Sequence, residues 1–224
     1  MPKSSAAVVV PLGKGERTAA RIREAALDLF SRFGFERVTM ADIADAAGVS
    51  QATLHHHFGD KDQLWRSAVE ALSAVIGEEE RLLRAAQDAP AVVRLRMAMR
   101  LFLQLSWKHP ALGRIVALEG MAGGERLDWL TEHLIGERNR RLVALVRAAI
   151  ADGDLKPLPP EQIVVTLQAG AAGIVNLRPL LRANFGVDPD TPRGRAAHEE
   201  LVLAGLLAGL LHHDKHRTKR RARR

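Results

Sequence analysis

Between Val38 and Phe58 the chain reads VTMADIADAAGVSQATLHHHF, and its apolar positions fall into two short helical patterns joined by a glycine. Met40, Ile43, Ala44 and Ala47 recur at helical spacing and define one apolar face. Thr39 stands where an N-cap is needed, and Asp42 three residues on suits an acidic variant of the capping box. Gly48 tolerates the positive φ of a sharp turn after a helix. Ser50 is placed to cap a second helix, which Leu54 and Phe58, one turn apart, anchor to the first. Gln51, Ala52, Thr53, His55 and His56 cover its remaining surface. All but Ala52 carry groups that hydrogen-bond to bases or phosphates, and Ala52 suits a thymine methyl. Gly59 ends this helix, and Asp60 caps the next, which opens with Lys61. Two short helices, a tight turn and a polar start to the second are the layout of a DNA-reading helix-turn-helix.

The same periodicity predicts helix along the rest of the chain. Ile22, Ala25, Ala26, Leu29, Phe30 and Phe33 mark one over residues 16–33, stopped by Gly34. A long helix follows from Lys61 to about Gln87. Pro90 opens a Leu- and Met-rich helix to Lys108, where His109-Pro110 breaks it. A short helix spans about Ala111 to Gly120, and Gly123-Gly124 forms a loop. Residues 125–152 make a long helix ending at Asp152-Gly153, and Pro157, Pro159 and Pro160 mark a turn. Two final helices run from about Glu161 to Phe185 and from about Thr191 to His213. No period-2 run is long enough for a strand, so the predicted class is all-α.

The ordered pieces RIREAALDLFSRFGFERVTM, ADIADAAGVSQATLHHHF and GDKDQL, from about Arg21 to Leu64, resemble the DNA-binding domain of TetR-family transcriptional regulators. The resemblance covers roughly the first third of the chain. It implies an N-terminal three-helix helix-turn-helix domain over 16–62, after an arm at 1–15. A helical effector-binding and dimerisation domain over 63–213 and a basic tail at 214–224 complete the expected organisation. It also implies base contacts from Gln51, Ala52 and Thr53 and phosphate contacts from Thr39, His55, His56 and Lys61. Two departures stand out. His55 replaces a tyrosine that many members carry, and Ala41 stands where some members have a base-reading arginine. The family implies a homodimer through the last two helices, here about residues 161–211, a near-palindromic double-stranded operator with half-sites ~10 bp or somewhat more apart, and release by a small-molecule effector. The expected sign is repression, although activation depends only on where the operator lies.

The texture of the last two helices agrees with a partner subunit. Residues 168–174, QAGAAGI, are small enough for close helix approach, and 201–211, LVLAGLLAGLL, are apolar on nearly every face. A helix apolar all round is buried from more than one side. A second subunit supplies that side, or else an intramolecular core does.

Charge refines the picture. The net charge is +7, but residues 212–224 hold seven Lys or Arg and one acid, whereas residues 1–60 hold seven of each sign. DNA binding therefore rests on which groups face the phosphates: Arg17, Arg21, Lys61 and helix N-termini, with Ser50 at the start of the reading helix. The tail offers a second reading, a sequence-indifferent architectural DNA binder sensitive to salt. With no Cys, there are no disulfides or thiolate sites, which fits a cytoplasmic protein. No apolar run approaches a membrane span, and AAVVV near the start is too short for a signal core.

Other chemistry is sparse. Cys and Tyr are absent, as are G-x-S-x-G, H-E-x-x-H, a Walker A loop and a strand-bound G-x-G-x-x-G, which argues against an enzyme and against a bound cofactor. Adjacent helical residues diverge by about 100°, so His55, His56 and His57 do not converge on one metal. His212, His213 and His216 lie in the basic tail. Glu78, Glu79 and Glu80 read as a solvated face. For an effector pocket the candidates are Met99, Phe102, Leu103, Trp107, Trp129, His133 and Asn176. Their mostly apolar character suggests a hydrophobic or amphipathic effector. Each also suits plain core packing.

Overall fold

The computed structural model describes residues 13–80 and 88–211. The expected tail, most of the arm and the His212, His213 and His216 cluster lie outside them, as do the side chains of Glu78, Glu79 and Glu80. Helices in chain order are α1 (Lys14–Phe33), α2 (Met40–Ala47), α3 (Gln51–Phe58), α4 (Lys61–Glu80), α5 (Ala91–Lys108), α6 (Pro110–Ala122), α7 (Glu125–Leu130), α8 (Gly136–Ala151), α9 (Pro160–Asn176), α10 (Arg178–Phe185), α11 (Pro192–Glu200) and α12 (Leu207–Gly209). Two π-helical segments, Thr131–Ile135 and Leu201–Leu206, join α7 to α8 and α11 to α12. The only β pairing among the described residues is one antiparallel bridge between Leu155 and Leu211. The all-α class holds, and the chain divides into two compact units between Ala71 and Leu72, within α4.

In the first unit α1 buries Ile22, Ala26 and Phe30 and stops at Gly34, whose φ of 80° a side chain rarely adopts. Its start is Lys14, where the Glu16 carboxylate accepts the Gly13 N–H at 2.9 Å. Phe30 stacks on Phe35, ring centroids 5.5 Å apart, so the turn between α1 and α2 carries its own core residue. Ile43, Ala44 and Ala47 of α2 and Leu54 and Phe58 of α3 are buried, as their spacing predicts. Truncating a fully buried leucine such as Leu54 to Ala costs about 2–5 kcal/mol, enough to loosen α3 from its support.

The second unit packs around Leu95, Met99 and Leu103 of α5, Val146 and Ala149 of α8, Leu167 and Ala171 of α9, and Val202, Leu203 and Leu207 of the final helix. Its long predicted helices need correction. The helix expected over 161–185 is two, α9 and α10, bent by 63°. Pro179 is the cause. It has no N–H for the Val175 carbonyl four residues back, and the Arg178 Nε donates to that carbonyl instead, at 2.9 Å. The helix expected over 125–152 stays continuous but widens at Thr131–Ile135. Gly136 permits this, since a Cβ there would lie 2.3 Å from the Thr131 carbonyl oxygen. The final helix ends at Gly209 rather than His213. Lys156 closes it, with its N–H on the Leu210 carbonyl at 2.9 Å and its Nζ on the Gly209 carbonyl at 2.6 Å.

The small-residue stretch of α9 is used within the chain. A Cβ on Gly170 would lie 2.4 Å from Leu206 Cδ1, so the final helix approaches there. No single described helix is long and apolar enough to cross a membrane.

Candidate nucleic-acid interface

The reading helix is fixed at both ends by its own neighbours. Ser50 Oγ accepts the Thr53 N–H at 3.1 Å and lies 2.8 Å from the Thr53 hydroxyl. Gly59 ends the helix with φ of 72°, and Asp60 then accepts the Gln63 N–H at 2.8 Å to start α4. Leu54 and Phe58 point inward. Gln51 and His55, and Ala52 and His56, are spaced one turn apart and all four are exposed, so they share one outward face. Thr53 is only partly exposed and its hydroxyl turns to Ser50, which sets it at the edge of that face. His57, one turn on from Thr53, is half-buried at the same edge, its ring 5.8 Å from that of His56.

α2 supports this helix through the predicted capping box. Thr39 Oγ1 accepts the Asp42 N–H at 3.2 Å, while Asp42 Oδ2 accepts the Thr39 N–H at 2.9 Å and its hydroxyl at 2.6 Å. The Thr39 hydroxyl and then its N–H hold the Asp42 carboxyl below its usual range. The Thr39 hydroxyl proton is thus already given to Asp42. The first N–H groups of α2 have no carbonyl partner within the helix. Gly48 has φ of 61° and ψ of 44°, the left-handed turn its sequence position predicts.

His55 and Lys61 show what residue identity alone did not reveal. The Nδ1 of His55 lies 2.6 Å from the Gly59 carbonyl oxygen. A carbonyl accepts only, so Nδ1 carries the proton, and Nε2 of the neutral ring is an acceptor. Lys61 reaches back to the turn between α1 and α2. Its Nζ donates to the carbonyls of Phe35 at 3.1 Å and Val38 at 3.2 Å and sits 4.1 Å over the Phe35 ring. Lys61 is therefore a clamp on the turn before α2, with one ammonium donor beyond these two. Arg17 and Arg21 are exposed on α1, and Arg23 lies 5.9 Å over the Phe58 ring.

The seven effector candidates do not converge. Met99 and Leu103 belong to the core of the second unit, with Phe102 packed against it. Trp129 and His133 stack on one another at 5.1 Å, with His133 Nδ1 3.0 Å from the Trp129 carbonyl oxygen. Asn176 is half-buried at the end of α9. Of the seven, Leu103 and Trp107 line a cleft of about 450 Å³ that also includes Arg195 and Glu199 of α11. Sequence reasoning passed over His198, which is 1% exposed and receives the Trp107 indole N–H on Nδ1 at 3.2 Å. Its one signal was a position four residues before the buried Val202. Among the described residues no group of three His, Cys, Asp or Glu is placed to hold a metal.

Two family models cover most of the chain. Residues 22–68 match the bacterial regulatory proteins of the tetR family, and residues 90–204 match the tetracyclin repressor-like C-terminal domain. The chain is 28% identical over 169 residues to the HTH-type transcriptional regulator RutR of Escherichia coli K12, covering 74% of this chain and 77% of that protein. It is 29% identical over 164 residues to the nucleoid occlusion factor SlmA of Vibrio campbellii, covering 72% and 82%. Its fold is similar to that of the ketosteroid transcriptional regulator KstR2 of Mycobacterium tuberculosis, with a TM-score of 0.69, 19% identity and coverage of 87% and 95%. It is also similar to the hemolysin II transcriptional regulator HlyIIR, with a TM-score of 0.68, 17% identity and coverage of 89% and 99%. With the C-terminal model alone spanning over half its length, and a DNA-reading helix-turn-helix before it, the chain belongs to the TetR family of bacterial transcriptional regulators, which are not enzymes.

Proposed function

We propose that the protein is a dimeric one-component repressor that reads a near-palindromic operator and leaves it when a small molecule binds the second unit. The observation that carries the DNA reading is the outward face of Gln51, Ala52, His55 and His56, held by caps at both ends of α3. Gln51 and Ala52 are the proposed base readers. His56 and the N-terminus of α2 meet phosphates, and Arg17, Arg21 and the third donor of Lys61 add to the electrostatic hold.

Exposed apolar side chains support the dimer. Val165 on α9, Leu177 and Phe185 around α10, and Leu201 in the final helix are 63%, 53%, 68% and 60% exposed. The chain's own core covers Val202, Leu203 and Leu207 on one side of the final helix, and Leu206 leans on Gly170 of α9, leaving Leu201 outside. A second copy is the natural cover for such a stripe. Effector release then needs only a ligand that favours a conformation in which the two reading helices misfit the operator.

Sedimentation of the full chain and of Leu201→Glu tests this reading. A wild-type dimer and a largely monomeric variant with weakened specific DNA binding are expected. A wild type that is monomeric on a palindromic site would contradict it.

A further inference from the structure

The cleft beside Trp107 has a fixed wall and a charge pattern that the DNA-reading face does not use. Leu103, Gln104, Trp107 and Lys108 of α5 face Arg195, Ala196 and Glu199 of α11. Its volume of about 450 Å³ is within the range of small-molecule sites. The indole cannot turn freely, because its N–H is held by His198 at 3.2 Å. Leu103 and Ala196 complete an apolar lining.

The charges are unequal. Glu199 is the only lining acid, and the Arg100 Nε donates to its carboxylate at 2.8 Å. Lys108 and Arg195 are the lining cations. The Arg195 guanidinium lies 5.0 Å over the Trp107 ring, and its side chain is 52% exposed. Its carboxylate neighbour is Asp190 at 3.9 Å, and Asp190 is already held by Arg178 at 2.8 Å and by Arg182. A guanidinium aimed along an aromatic wall, with donors to spare, suits one planar carboxylate. A cationic ligand would meet Lys108 and Arg195, and a multiply charged anion would meet Glu199.

We propose that this cleft binds a small amphipathic carboxylate, its apolar body against Leu103, Trp107 and Ala196 and its carboxylate on Arg195. The assignment rests on the effector-controlled reading above and supplies the ligand class and the place. It narrows the seven effector candidates to Leu103 and Trp107 and adds Arg195, which the sequence did not single out.

The test follows the indole N–H signals of the three tryptophans in a 1H–15N spectrum of the full chain. Trp107→Phe identifies the Trp107 signal by its loss. Sodium 4-phenylbutyrate is then titrated, with its neutral amide as comparison. The Trp107 signal should move saturably while those of Trp65 and Trp129 stay. The amide should bind at least about tenfold more weakly, as should Arg195→Ala, with Arg195→Lys between the two, as expected for loss of a charge-assisted pair. A Trp107 signal that does not move, equal affinity for the amide, or indifference to Arg195→Ala would overturn the assignment. Operator binding, measured in parallel, separates the two readings. Carboxylate binding at Trp107 without operator release keeps the site and removes the release reading. Release by another ligand that leaves Trp107 unmoved does the reverse.

Discussion

The Trp107 indole N–H donates to His198 Nδ1 at 3.2 Å, and Nε2 of the same ring lies 3.2 Å from the Gly170 carbonyl oxygen. The carbonyl accepts, so Nε2 carries the proton and Nδ1 offers its lone pair. One neutral, buried imidazole thereby ties α5, α9 and α11 together. A second proton would go to Nδ1 and face the indole N–H, with the Arg178 and Arg195 guanidinium groups 5.8 and 5.0 Å from the indole ring.

Burial pushes His198 below its ordinary value of 6.5, and the Gly170 carbonyl opposes this only in part. As pH falls from 6.5, the unfolded chain takes up the proton first. The contribution of His198 to stability is therefore complete above 6.5 and is lost as pH falls toward the lower native value. Urea midpoints of wild type and His198→Gln check this. The wild type should lose more stability than the variant between about pH 7.5 and pH 5. Equal losses would place the acid sensitivity elsewhere.

Thr39→Ala removes the hydroxyl that caps α2 and binds Asp42. A loss of about 1 kcal/mol is expected from the missing cap, read as a lower urea midpoint. Weaker operator binding should accompany it, because α2 supports α3. An unchanged midpoint would mean that the cap does not hold α2.

Lys61→Met separates clamp from phosphate contact. The lysine holds the Phe35 and Val38 carbonyls, so the variant should lower stability by about 1 kcal/mol in the absence of DNA, the usual scale for a hydrogen-bonded group of this kind. A lysine that served only DNA would leave the free protein unchanged and lower affinity alone.

The first unit was legible because its signals are local. Thr39, Asp42, Gly48, Ser50, Gly59 and Asp60 each act within three or four residues, and each takes the place its spacing predicts. The second unit was less so. Pro179 sits in an apolar run that reads as one helix, and the guanidinium that heals the break comes from the neighbouring Arg178. The widening before Gly136 leaves only that glycine as a trace. The Trp107 cleft depends on pairing residues about ninety positions apart, which no local pattern encodes. Lys61 was recognised by its place after the reading helix, but its hold on Phe35 and Val38 required the fold.

Selection of duplexes from a random DNA pool by the full chain at moderate salt, followed by sequencing, tests the central claim most directly. A near-palindromic motif is expected, with half-sites about 10 bp or somewhat more apart. Base preferences within each half-site should change when Gln51 is replaced by Ala. A pool that is retained without any enriched motif would contradict sequence reading by α3 and leave only non-specific electrostatic binding.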